Sequence, residues 1–340
     1  MPRRPRIAGM TRLAMSMAAG VALAAAIQAG AAQAQANRPA ATPMPPAPPA
    51  DAQPATPAKP EDVAFGAYQR GYFLTAFNEA TRLATQNNVN AMALLGELYA
   101  NGFGVGRSDE KAAQWYKLAA DRGDREAMFA LALFKFQGRG GPRDPAAGAK
   151  LFEQAANRGH ISAAYNLGLL YLQGEQVAQD FKRAAELFQI GARAGSPEAQ
   201  YALATLYKNG SGVAKNEDEA MRLMGQAAMS GNLDAMVEFA IAQFNGSHTR
   251  KDETAATLMF EKAAKRGSAI AQNRLARILS AGKGVPADPV QAIKWHIVSK
   301  AGGASDPEMD IYVSKQKPSD REKAEAAAKR WLASAPELRP

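Results

Sequence analysis

The chain has no cysteine in its 340 residues. That absence excludes disulfide staples, thiolate metal ligands, a cysteine nucleophile and a lipid anchor attached through cysteine. Histidine is almost as scarce. His160, His248 and His296 are the only three, and they fall in a turn, a loop and a helix of separate segments. His296 reads as a packed ring and His248 as a solvent-exposed one. The patterns HExxH, CxxC, GxSxG and the glycine-rich phosphate loop are missing too. Without an acid/base pair, a nucleophile or a ligand set, the sequence reads as a non-enzyme that carries no metal and no cofactor.

Two further absences narrow the partners. The formal net charge is +9, but no block of lysine and arginine concentrates it, so nucleic acid is not an expected partner. The long apolar run from Leu13 to Ile27 is shorter and richer in alanine than the about 20 strongly apolar residues of a permanent membrane span. It sits behind Arg3, Arg4, Arg6 and Arg12 and ahead of two small-x-small sites, Ala32-Gln33-Ala34 and Ala34-Gln35-Ala36. Residues 1–36 therefore read as a cleaved secretory signal. The expected location is the periplasm, with secretion as the alternative, and no stable membrane insertion after cleavage. Losing the four arginines takes the net charge from +9 to +5.

What the chain does have is a period. Gly123, Gly159, Gly195, Gly231, Gly267 and Gly303 stand 36 residues apart, and so do Gly102, Gly138, Gly174, Gly210, Gly246 and Gly282. Units of one length repeated in this way mean a stacked array. Ala163, Leu167, Leu170 and Tyr171 make one helical stripe, and Gly174 ends that helix. A second helix starts after Asp180, carries Ala184, Leu187, Phe188 and Ala192 on its stripe, and ends at Gly195. Ser108, Asp144, Asn216, Asp252 and Asp288 match Asp180, and all six are good N-caps. The other helix opens at Asn88, Asp124, His160, Ser196, Asn232 or Ser268, of which His160 is the poor N-cap. Each unit is helix, loop, helix, turn, and the fold class expected is all-α, an α/α superhelical solenoid.

The segment ALLGELYANGFGVGRSDEKAAQWYKLAADRG at 93–123 closely resembles the Sel1-like repeat, a relative of the tetratricopeptide repeat. The resemblance rests on Leu95-Gly96, Tyr99, Gly102-x-Gly104-Val105, Lys111-Ala112, Trp115-Tyr116, Ala119-Ala120 and Gly123. It covers six repeats over 91–303. Repeats 2 and 5 are degenerate. Lys135 and Gln243 replace the usual tyrosine, and SHTRK replaces the GxGV loop of repeat 5. Residues 61–90 read as a degenerate N-terminal capping repeat, with Asn87 in the place of Gly123. Residues 304–340 read as C-terminal capping helices with capping boxes at Ser305/Glu308 and Ser319/Glu322. Residues 37–60, with nine prolines, read as a disordered Pro/Ala-rich linker.

The resemblance implies that first helices line a concave face. On this register the partner-binding candidates are Phe129, Leu133, Phe136, Tyr165, Leu169, Leu172, Tyr201, Lys208 and Phe244. The same side chains also read as inner-face core. A strip of this kind suits a helix or extended segment of a protein partner. AFGAYQRGYFLTAFNEA at 64–80 and DPVQAIKWHIVSKAGGASDPEMD at 288–310 are similar to periplasmic Sel1-repeat regulators of the ExoR type, which implies a regulator that binds and restrains the sensor domain of a membrane histidine kinase. A structural or assembly adaptor for envelope machinery is the alternative, and a cell-wall-active enzyme the weaker one.

Overall fold

The computed structural model describes residues 60–334. The expected signal, and the linker up to Pro60, lie outside the described residues. Among those described there are sixteen helices and no strand, so the chain is an all-α repeat fold. It divides into two compact units between Gly191 and Ala192.

The first unit opens with α1 (Pro60–Gln69) and α2 (Phe73–Ala84). The repeats follow as pairs: α3 (Val89–Asn101) with α4 (Asp109–Asp121), α5 (Arg125–Gln137) with α6 (Pro145–Asn157), and α7 (Ile161–Gln173) with α8 (Phe181–Arg193). The unit boundary falls within α8. The second unit continues with α9 (Pro197–Asn209) and α10 (Glu217–Met229), α11 (Leu233–Asn245) and α12 (Glu253–Lys265), and α13 (Ala269–Ala281) and α14 (Pro289–Ala301). It closes with α15 (Pro307–Ser314) and α16 (Pro318–Ser334).

The caps expected from the register are present. Ser108, Asp144, Asn216, Asp252 and Asp288 each accept a backbone N–H three residues on, as does Asp180 from Arg183. His160 corrects the expectation. It is a full N-cap, with Nδ1 accepting the Ala163 N–H at 3.0 Å. At the C-terminal end the cap of α15 is Asp306, which accepts the Met309 N–H, not Ser305. Ser319 lies inside α16 rather than before it, because Pro318 takes the first helical position.

Small residues are dictated by rings. A Cβ on Gly96 would stand 2.5 Å from the Tyr116 ring, so glycine lets α3 and α4 approach. The fully buried side chains include Phe152, Phe188 and Phe260 on second helices and Leu95 and Leu167 on first helices. Degenerate repeats survive because one tie is made by backbone alone. The N–H of the second helix's N-cap donates to the carbonyl nine residues back, from Ser108 to Tyr99, from Asp144 to Lys135 and from Asp252 to Gln243. A carbonyl is indifferent to the side chain it carries, so Lys135 and Gln243 serve as well as tyrosine.

The loops join one repeat to the one before. Gly140 sits so close to the Asp109 carbonyl that a Cβ would lie 2.4 Å away, and Arg139 beside it pairs with Asp109 at 2.7 Å. The Arg139 hydrogen bond holds the Asp109 carboxyl below its ordinary range against the opposing effect of burial. In repeat 5 the same position holds His248, a non-glycine residue at φ 55°. It is exposed, and its ring is engaged with Glu217 and Asp218 at the start of α10. An imidazole–carboxylate contact therefore stands at the position that glycine holds in other repeats.

At the C-terminal end, α16 packs Ala324 and Ala328 against α14, with Trp331 edge-on to Trp295 at 5.9 Å. His296 is buried, as its register position implies, and Nε2 bonds Asp310 at 2.8 Å. No helix among the described residues is long and apolar enough to cross a membrane.

Candidate partner-binding surface

First helices do line a groove in the first unit. It has a volume of ≈ 1120 Å³ and is bounded by α1, α3 and α5. Phe65 and Tyr68 come from α1, Ala93 and Glu97 from α3, and Phe129 and Leu133 from α5. Phe65 is 54 % exposed. Tyr68 lies 6.3 Å from it and 5.8 Å from Phe73, and Phe73 stacks on Phe103 at 4.4 Å. Of this aromatic cluster, Phe65 and Tyr68 line the groove.

Glu97 is one of three carboxylates that line the groove, with Asp124 and Glu126. Its Oε2 accepts the Tyr116 hydroxyl at 3.0 Å, and its Oε1 accepts Asn101 at 2.7 Å and Tyr68 at 3.4 Å. Burial, and then the charge of Glu97, push the Tyr116 phenol well above its ordinary value, so the phenol remains a donor. Arg139 and Arg107 line the groove but face Asp109, at 2.7 and 3.6 Å.

Of the nine candidates from sequence, Phe129 and Leu133 line this groove. Phe129 is half-buried. It stacks on His160 at 4.4 Å and tilts on Phe152 at 5.6 Å, so its truncation removes packing as well as groove surface. Phe136 is buried and stacks on Phe152 at 5.4 Å, and Leu169 is buried as well. Both sit in the core. Tyr165 is half-buried with its ring 5.6 Å from Phe188, and Leu172 is half-buried.

In the second unit, Tyr201 donates to Glu238 at 2.9 Å and Lys208 pairs with the same carboxylate at 2.8 Å. Lys208 and Glu238 line a smaller cavity of ≈ 620 Å³ together with Met221, Met224 and Ile241. Phe244 is half-buried and does not line it. In repeat 6, Asn273 and Arg277 occupy the register positions of Phe129 and Leu133, and both bind Asp306 of the terminal cap.

Sequence reasoning missed Phe65 and Tyr68, because residues 61–90 read as a cap alone, and it left Glu97 out of the candidates although the register puts it on the same face. The signal was present in two places. Phe65 and Tyr68 are spaced for one helix face, and Glu97 is an acid in a row that continues with Leu133 and Leu169. Among the described residues no group of three histidines or carboxylates is placed to hold a metal.

Comparison with known proteins agrees with the repeat fold. The family model described as Sel1 repeat matches six consecutive segments, 89–124, 125–160, 161–196, 197–232, 233–268 and 269–298. Among solved structures, c5321 of uropathogenic Escherichia coli, described as a protective antigen displaying an SLR fold, is 27 % identical, with a TM-score of 0.57. The match covers 82 % of this chain and 69 % of that one. A Sel1 repeat protein from Oxalobacter formigenes is 26 % identical, with a TM-score of 0.63, over 71 % of this chain and 97 % of that one. No curated protein matches.

Proposed function

We infer function from one premise: the chain belongs to the Sel1 repeat family. Sel1 repeats make a protein–protein interaction scaffold, and the family is typically non-catalytic. We propose that this scaffold is an exported regulator, acting in the periplasm by binding the external domain of a membrane signalling protein such as a sensor histidine kinase. The observation that carries a binding role is the groove of the first unit, which an exposed aromatic, Phe65, lines together with the carboxylate of Glu97. Aromatic anchors beside desolvated polar groups carry a disproportionate share of interface energy. The basic, apolar and small-residue pattern of residues 1–36 supports export.

Site-specific photocrosslinking in intact cells tests the reading. A crosslinker at Phe65 should capture the periplasmic domain of a membrane signalling protein, and one at the exposed Met229 of α10 should not. Phe65→Ala should abolish capture and leave the melting temperature nearly unchanged, since the side chain is more than half exposed. Equal capture from both positions, or a cytoplasmic partner, would overturn the proposal.

A further inference from the structure

Glu97 is a carboxylate to which no described residue brings a cation. Its donors, Tyr116, Asn101 and Tyr68, are all neutral. The other charges of the groove are committed. Arg107 and Arg139 face Asp109, Asp124 caps α5 through the Ala127 N–H at 2.6 Å, and Glu126 meets Arg125 and His160. A carboxylate offers about four acceptor sites. Two on Oε1 and one on Oε2 are filled, which leaves one on Oε2.

The second unit shows what fills that vacancy elsewhere. Glu238 also accepts a phenol, from Tyr201, and Lys208 supplies its cation at 2.8 Å. Asp306 accepts an amide, from Asn273, and Arg277 supplies its cation at 2.5 Å. At both places a carboxylate that meets a first helix, Glu238 from the next first helix and Asp306 from the terminal cap, has neutral donors plus one positive head group from the chain itself. Glu97 has the neutral donors without the head group, and it lines an open groove.

We propose that this groove receives one arginine or lysine side chain from a protein partner. The head group meets Glu97 Oε2, and the apolar stem and its neighbours lie against Phe65, Tyr68, Phe129 and Leu133. Long cationic side chains suit such a site, because the stem covers apolar surface while the charge reaches a polar end. This rests on the interaction reading above and names the chemistry of the contact.

The test uses peptides selected from a random twelve-residue phage library on the full chain. Those that lose binding to the Phe65→Ala variant are the groove binders. Each should carry an arginine or lysine. Replacing it with neutral citrulline or acetyl-lysine should cost about tenfold in Kd, the size of one charge-assisted hydrogen bond. Exchanging arginine for lysine identifies which head group is preferred. Glu97→Gln should cost the same factor and make the peptide substitution silent. The peptide arm leaves the protein untouched, so a folding defect in the variant cannot mimic the result. Groove binders that tolerate neutralisation, or that bind Glu97→Gln equally well, overturn the inference and leave the scaffold reading standing. If no selected peptide responds to Phe65→Ala, the groove reading falls as well.

Discussion

Asp306 accepts from Nε and Nη2 of Arg277, at 2.5 and 2.7 Å, and so clamps α15 onto the first helix of the last repeat. The carboxylate is nearly inaccessible, at 3 %. Burial alone would raise its pKa, but hydrogen bonds from Arg277, Asn273 and the Met309 N–H outweigh it and hold the group at about 2, against an ordinary 3.8. A pKa depressed in the fold adds stability that is complete above the unfolded value and vanishes as pH falls through the folded one. That window runs from about 4 down to about 2, and the gap is worth about 2 kcal/mol. Asp306→Asn keeps a capping side chain and loses the charge. It should cost about 2 kcal/mol near neutral pH, and its denaturation curve should converge on the parent's at about pH 2. A constant difference across that range would show that the ion pair is not the source.

His160 should be the Nε2–H tautomer. Its Nδ1 accepts the Ala163 N–H, and Nε2 faces Glu126 at 3.0 Å. The hydrogen bond from His160 holds the Glu126 carboxyl below its ordinary range. Nitrogen chemical shifts read the tautomer directly. His160→Ala should lose about 1 kcal/mol for the missing cap, and His160→Asn should recover most of it. An Nδ1–H ring would contradict the capping geometry.

Two glycines should respond oppositely to alanine. At Gly96 the new Cβ meets the Tyr116 ring at 2.5 Å, which costs about 1–3 kcal/mol through overpacking. At Gly66 the nearest atoms belong to the flexible Arg70 head group at 3.3 Å. There, within α1, alanine should stabilise by about 0.5–1 kcal/mol. Urea unfolding of the two variants separates them, and equal effects would show that the α3–α4 approach is not limiting.

The repeats were legible because a period repeats its own message. Glycine at helix ends, Asn or Asp at helix starts and alanine at close approaches recur at fixed intervals, so one misread residue is outvoted by its equivalents. His160 was misjudged because an imidazole nitrogen can accept as well as an oxygen can, and residue-type preference hides that. Ser305 reads as the cap because Glu308 completes a capping box with it, whereas α15 starts one residue later, with Asp306 as its cap. The groove was harder to read. Register tells which face of a helix a residue occupies, but not how deep that face lies. Phe136 and Phe129 are seven residues apart on one stripe, and the first is buried while the second lines the groove. Both rings meet Phe152, at 5.4 and 5.6 Å, but only Phe136 is received by a glycine of the next helix, Gly148, where a Cβ would lie 2.7 Å from its ring, and no single helix encodes that.

His248 should prefer glycine to alanine. At φ 55° a side chain carries backbone strain that glycine does not, a difference of about 1 kcal/mol. Its contacts with Glu217 and Asp218 are exposed, and ion pairs in water add little stability. His248→Ala loses the contacts and keeps the strain. His248→Gly loses the contacts and releases it. The glycine variant should therefore be the more stable of the two by about 1 kcal/mol in chemical denaturation, and the reverse order would place the loop in another conformation.

The loop contacts span a constant distance along the chain: Gly104 meets Phe73, Gly140 meets Asp109 and Gly284 meets Glu253, each 31 residues back. That reach is shorter than the 36-residue period. A gene segment encoding one period therefore carries both halves of the contact in adjacent copies. Duplication or loss of such a segment by recombination recreates a junction the protein already knows how to make. The length of the array can drift in whole steps over generations, while any insertion of another length would have to invent a new junction.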